Sequence, residues 1–295
     1  LGGNLRRVFG AADGRDPQET LARLVREVQT SPLITVHLAS EVSASSGFAG
    51  NFMSTIRRSD GSLVDVRHGA TILATGGREY RGPEYGYGSD PRVLTQQEFE
   101  AQLATGGDLP HSVVMIQCVG PAERYCSRIC CTVALKNALA LKRQQPEAEI
   151  VVLYRDIRAY GFKERLYSQA RERGVIFVRY DEEHRPEVEI GGTLTVRAWD
   201  PALGREIVLH PDRLVLSMPV VPRDDAHEVA RLFKASLDAD GFFLEAHVKL
   251  RPVDFATEGV FMAGMARVRR GSSAVRRGWQ VAAWLSWTRR NAPAA

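Results

Sequence analysis

Cys118, Cys126, Cys130 and Cys131 are all the thiols of this chain, and they fall in one short stretch, CVGPAERYCSRICC, with the spacing C-x7-C-x3-C-C. A hydrophobic core spends cysteine one residue at a time, as a small apolar filler. A secreted disulfide framework scatters its cysteines along the chain. A structural zinc ion draws on C-x2–4-C pairs that close one tetrahedron, and two adjacent cysteines reach a single ion awkwardly. A four-iron cubane offers an iron at each of four corners, so neighbouring thiolates can each take their own. Buried thiols with one redox-active pair, a zinc site and a cubane therefore remain three readings of these residues, and the Cys130–Cys131 adjacency favours the cubane. A helix pattern, TVALKNALALKRQQP, follows directly, so orphan N–H groups of a first turn are available to anionic sulfur.

The elements around this stretch read as α/β. SVVMIQC (112–118) is a buried-strand pattern. It is followed by the helix pattern, then by AEIVVLYRDI as a strand, FKERLYSQARERG as a helix stopped by Gly174, and VIFVRY as a strand. Strand–helix–strand alternation predicts a parallel, doubly wound sheet. A dinucleotide domain would carry G-x-G-x-x-G after its first strand; here the cysteines stand in that place, and no such fingerprint occurs elsewhere. Upstream, DPQETLARLVREVQTS reads as a helix capped by Asp16 with Pro17 at its first position. LITVHLASEV (33–42) reads as a strand, and FMSTIRRSDGSLVDVRHGATILATGG as three strands. LTQQEFEAQLAT (94–105) reads as a helix, and TEGVFMAGM (257–265) as a last strand. SSAVRRGWQVAAWLSWTRR reads as a closing helix.

The chain has 295 residues, enough for two cores, with 44% apolar and 25% charged residues, as in soluble proteins. The net charge of +4 is mild, and no nucleic-acid-binding motif accompanies the basic C-terminal stretch. No apolar run reaches the roughly 20 residues of a membrane span, and no signal peptide is visible, so the expected location is a reducing cytoplasm. A start at Leu1 leads to the expectation of a fragment or processed piece.

Two small-residue strand ends, ATGG (74–77) and AGMA (263–266), bracket the inserted α/β unit. With these blocks in place, the chain resembles the A subunit of heterodisulfide reductase, the component of that enzyme that carries flavin and iron–sulfur centres. The resemblance runs through LGGNLRRV, NFMSTIRR, ILATGGREY, YGSDPRVLTQ, VMIQCVG, YCSRICC, LYRDIRAYGF, GVIFVRY, LVLSM, DGFFLEAHVKLRPVDFAT and GVFMAG. It implies a two-domain flavin disulfide-reductase-like fold. In that fold residues 1–108 and 252–295 form an FAD-binding Rossmann domain, incomplete because its first βαβ unit is missing here, and residues 109–251 form the NAD-like domain that interrupts it.

The resemblance assigns the four cysteines to a [4Fe–4S] cluster and places Lys136 beside the isoalloxazine, against the plainer reading of a solvated helix lysine. It implies that Gly2, Gly3, Ala74, Thr75, Gly76, Gly264, Ser273 and Ala274 line FAD. Glu245 and His247 are flavin-edge candidates, against the plainer reading of a hydrogen-bonded loop. The implied activity is an FAD- and iron–sulfur-dependent oxidoreductase. It would pass electrons between FAD and the cluster inside a complex of redox subunits, and electron bifurcation is within the implied range. Two alternatives stand beside it: an iron–sulfur relay or scaffold without flavin, and a thiol oxidoreductase, which lacks its usual cysteine pair and NAD loop here. A homodimer is a further expectation.

Overall fold

The computed structural model describes residues 1–123 and 126–266, with Ala122 and Glu123 described by backbone alone. In chain order the elements are α1 (Pro17–Thr30), β1 (Ser40–Phe48), β2 (Asn51–Arg58), β3 (Leu63–His68), β4 (Thr71–Leu73), β5 (Arg78–Glu79), β6 (Val93–Thr95) and α2 (Gln96–Thr105). There follow β7 (Ser112–Ile116), α3 (Cys130–Gln144), β8 (Glu149–Tyr154), α4 (Glu164–Glu172), β9 (Ile176–Arg179), β10 (Glu187–Glu189), β11 (Thr195–Asp200) and β12 (Arg205–Leu209). The described elements close with β13 (Arg213–Leu216), β14 (Val220–Val221), α5 (Ala226–Phe233) and β15 (Val260–Met262). The chain forms two compact units, Leu1–Val28 with Glu79–Val220, and Gln29–Arg78 with residues 221–266.

The first unit is built on a five-stranded sheet in the order β6-β13-β7-β8-β9, and each of its pairings is parallel. The period of two along β7 explains its two covers. Val113 and Met115 pack in one cluster with Phe99 and Leu103 of α2, Ala134, Leu135 and Ala138 of α3, and Ala170 of α4. Val114 and Ile116 pack in a second cluster with Leu194, Val196 and Ala198, which belong to or adjoin the antiparallel meander β10-β11-β12. Helices thus cover one face and the meander the other, which is why the strands read as continuous apolar runs. Helix α2 has a capping box: the Thr95 side chain accepts from Glu98 N while Glu98 accepts from Thr95 N, and Gly106 ends it at φ 68°.

The second unit holds the antiparallel sheet β1-β2-β3 and the parallel pair β4–β15. Its core gathers Phe52, Leu73, Phe243, Phe255, Val260 and Met262 with Ala230 of α5. The edge-to-face pair Phe243–Phe255, with centroids 5.5 Å apart, stands inside it.

Three local expectations change. The strand expected at 33–42 begins at Ser40 and runs on to Phe48. Leu33 and Leu38 before it are exposed and Ala39 turns at φ 47°, so that apolar run has no face to bury. Helix α3 starts at Cys130, which places two cysteines in its first turn. Helix α5, of only eight residues, answers to none of the expected elements. The closing helix lies outside the described residues. No described helix is long and apolar enough to cross a membrane.

Candidate iron–sulfur site

The cysteine loop leaves the carboxyl end of β7, at the edge of the parallel sheet where open α/β folds place their ligands. Cys118 takes φ 61° and Arg128 φ 57°. This left-handed backbone costs a non-glycine residue on the order of 1 kcal/mol and persists only where the surroundings hold it. Ser127 Oγ accepts from Val220 N at 2.9 Å, tying the loop to the chain beyond β13. The backbone N–H of Arg128 donates to Cys126 Sγ at 3.3 Å. The thiols of Cys130 and Cys131 donate to the carbonyls of Met218 and Asp156, each at 3.6 Å.

All four cysteines are unpaired thiols. The fold brings them within electrostatic reach of one another: Cys130 feels Cys131, Cys126 and Cys118, and Cys131 feels Cys118 and Cys126. Burial pushes the Cys118 and Cys130 thiols up and lifts Cys131 to about 11, with the neighbouring sulfurs adding to the rise as like charges. Opposing this, Arg155 bonds to Cys118, and the backbone of Arg158 bonds to Cys131. The Arg158 guanidinium, held first by Asp156 at 2.9 Å, has Cys126 and Cys118 in its field. Thiols whose pKa burial has raised become thiolates only when a cation compensates them. Four soft sulfur donors, peptide N–H groups and two arginines therefore suit an iron–sulfur group in donor chemistry. Among the described residues, no three His, Cys, Asp or Glu side chains are placed to hold a metal ion as they stand. A cleft of about 600 Å³ opens on Cys118 and is lined also by Tyr80, Tyr85, Gly120, Arg155 and Tyr180.

Lys136 lies in the second turn of α3, and it is part-buried rather than solvated. Its Nζ stands 2.6 Å from Glu100 Oε2 and donates to the Gly10 carbonyl at 2.9 Å. Glu100 Oε1 in turn accepts from Phe9 N and Gly10 N at 2.7 and 3.0 Å. The pair clamps residues 9 and 10 onto α2 and α3, and burial pulls the lysine pKa down against the pull of Glu100. In the same unit Gly2 (φ 101°) precedes the 3-10 turn Gly3–Arg7, and Gly2 has Leu21 against it.

In the second unit β4 and β15 run in parallel, with Leu73 opposite Met262 and Ala263 N donating to Leu73 O at 2.9 Å. Ala74, Thr75 and Gly76 after β4 therefore share one carboxyl edge with Gly264 after β15. Gly76 (φ 77°) and Gly264 (φ 72°) need left-handed backbone, and a Cβ on either would meet nothing within 4 Å. His247 sits in a turn, its Nδ1 accepting from Lys249 N and Leu250 N at 3.2 and 3.1 Å. Ser273 and Ala274 lie outside the described residues.

Sequence reasoning missed Arg155, Arg158 and Glu100. The two arginines follow β8, the strand beside β7, and the carboxyl-edge rule alone would have drawn attention to them. Glu100 carried no signal, because its partner Lys136 is on another helix.

The fold is that of the thioredoxin-reductase-like flavin disulfide oxidoreductases. The thioredoxin reductase of T. acidophilum superposes with a TM-score of 0.61, covering 99% of this chain and 88% of that one at 13% identity. That of Lactococcus lactis gives 0.61, covering 97% and 86% at 16% identity. No protein-family model matches the chain.

Within that fold class the chain belongs to the heterodisulfide reductase A-subunit family. It is 35% identical to the A subunit of the ferredoxin:CoB-CoM heterodisulfide reductase of Methanosarcina acetivorans, over 70% of this chain and 31% of that protein. It is 37% identical to the A subunit of the H2:CoB-CoM heterodisulfide,ferredoxin reductase of Methanothermobacter marburgensis, over 69% and 34%. It is also 37% identical to the iron-sulfur A subunit of the CoB–CoM heterodisulfide reductase of Methanocaldococcus jannaschii, over 69% and 34%. The chain spans about a third of the length of these relatives.

Proposed function

We propose that Cys118, Cys126, Cys130 and Cys131 hold a [4Fe–4S] cluster, and that the chain works with FAD as the electron-transfer part of a heterodisulfide-reductase-like oxidoreductase. The observation that carries this reading is the set of four free thiols in one loop at the carboxyl edge of the sheet, where a nucleotide-binding glycine loop would otherwise follow β7. A flavin exchanges electron pairs and a cubane exchanges single electrons, so together they join two-electron to one-electron carriers.

The residues contribute environment. Arg155 and Arg158 offset negative charge at the sulfurs, and the N–H groups of Arg128 and Arg158 donate to Cys126 and Cys131. The open backbone at Gly76 and Gly264, with Ala74 and Thr75, supports an approach of the flavin to that strand edge. The flavin-lining roles of Gly2, Gly3, Ser273 and Ala274, and the isoalloxazine role of Lys136, belong to the same proposal. So do the cytoplasmic location, other redox subunits as partners, and electron bifurcation as the function of the assembly.

The test is anaerobic purification with iron, flavin and zinc analysis and a visible spectrum. On the order of four iron and one flavin per chain is the expected result. Iron without flavin would leave the relay reading, and zinc without iron would end the cluster assignment. Cys130→Ser with Cys131→Ser is expected to abolish the iron absorbance, and an unchanged spectrum refutes the ligand set.

A further inference from the structure

We propose that the Gln117 amide and the Thr132 hydroxyl are hydrogen-bond donors to sulfur at the four-cysteine site. The inference rests on the reading that those cysteines hold an iron–sulfur cluster.

Gln117 is fully buried, at 0% exposure, and neither Nε2 nor Oε1 has a partner; Thr132 is 8% exposed and its Oγ1 has none. Folded proteins rarely leave buried donors unmet, because desolvation without a replacement bond is costly. Such an orphan marks a place where something beyond the protein's own side chains completes the bonding. Position identifies what. Gln117 directly precedes Cys118, and Thr132 directly follows Cys131.

Gln117 continues the parity of Val113 and Met115, which pack in one cluster with Ala134, Leu135 and Ala138 of α3. The first turn of that same helix carries Cys130, Cys131 and Thr132.

The backbone of Gln117 is already committed: its N donates to Leu153 O at 2.9 Å, and its carbonyl accepts from Tyr180 Oη at 2.6 Å. The Gln96 and Asn137 amides donate elsewhere. Gln96 Nε2 donates to Ser217 Oγ at 3.2 Å, and Asn137 Nδ2 donates to Gln96 Oε1 at 2.8 Å. Asn137 Oδ1 is also unmet, but it is an acceptor and has nothing to offer sulfur. Gln117 Nε2 and Thr132 Oγ1 are donors, and hydrogen bonds to cluster or cysteine sulfur draw off negative charge and raise the reduction potential.

Gln117→Leu and Thr132→Val, made in the full chain, test this without an activity assay. In the iron-loaded chain each substitution is expected to shift the cluster's midpoint potential to more negative values in an EPR-monitored titration, whereas Thr132→Ser should keep it. Thermal midpoints give an independent sign. Removing an unmet buried group should raise the midpoint of the iron-free chain, and removing a cluster contact should lower that of the loaded chain.

Unchanged potentials, with a thermal shift of the same sign in both forms, would overturn the proposal and assign these groups to ordered water. Wild-type chain that takes up no iron would remove the cluster reading itself, a failure distinguished by metal content rather than by the variants.

Discussion

Replacing Lys136 by Met keeps the aliphatic stem and deletes the ammonium that faces Glu100 at 2.6 Å. The two side chains are 12% and 7% exposed, so the charge left behind on Glu100 has little water to turn to. At an effective dielectric near 20, two unit charges at this distance attract by about 6 kcal/mol, most of it set against the desolvation of both ions. Breaking one side of such a buried pair costs roughly 3–5 kcal/mol, because an uncompensated charge remains. The carboxylate keeps two donors, Phe9 N and Gly10 N, which places the expected loss at the lower end, about 3 kcal/mol.

For a unit of this size that corresponds to a melting midpoint lower by roughly 6–12 °C. Equilibrium urea unfolding of the iron-free chain, followed by near-UV circular dichroism, measures the loss. Hydrogen exchange at Phe9 and Gly10 locates it. Adding Glu100→Gln to Lys136→Met should restore about 1 kcal/mol or more, since the neutral amide still accepts from those N–H groups without a buried charge. A loss below about 1 kcal/mol, or strictly additive effects in the cycle, would refute the clamp and return Lys136 to the flavin role alone.

Two further outcomes follow from burial and backbone geometry elsewhere in the chain. Burial lifts the carboxyl of Glu79 to about 7, against the hydroxyl of Thr95 and the charges of Arg81 and Arg7, with Glu98 adding to the rise. Its folded pKa lies above the unfolded one. The associated stability is therefore present below about pH 4.5 and is lost as pH rises through about 7, by about 3 kcal/mol. Glu79→Gln should flatten that part of the stability-versus-pH curve, and an unaltered slope would contradict the assignment. At Gly76 and Gly264 the backbone is left-handed and the space beside it open. Alanine should therefore cost about 1–2 kcal/mol through backbone strain alone, and asparagine less; denaturant midpoints with equal losses for both residues would count against this.

Much of the candidate site was legible because it is local. Four cysteines within a few turns of chain need no knowledge of the fold to be seen as a ligand set, and the strand pattern before them and the helix pattern after them placed them at a sheet edge. Apolar runs marked β7 and β8, since a strand covered on both faces must be apolar throughout; β9, at the sheet edge, leaves Ile176 exposed. Where the patterns misled, burial was the missing information. Leu33 and Leu38 look like strand residues and are exposed, while α5 is a short amphipathic helix that buries only Ala226 and Ala230.

Tertiary structure alone decided the rest. The insertion of β13 between β6 and β7 joins segments far apart in sequence, and no local pattern records which neighbour a buried strand will take. Arg155 and Arg158 reach the thiols because β8 lies beside β7. Lys136 meets Gly10 across 126 positions of chain, and the unmet amide of Gln117 exists only because the packed chain leaves it no exposed surface. Residue type and spacing fix what chemistry a segment can perform. Charge compensation, desolvation and hydrogen-bond satisfaction depend on what is brought against it, and that is a property of the packed chain.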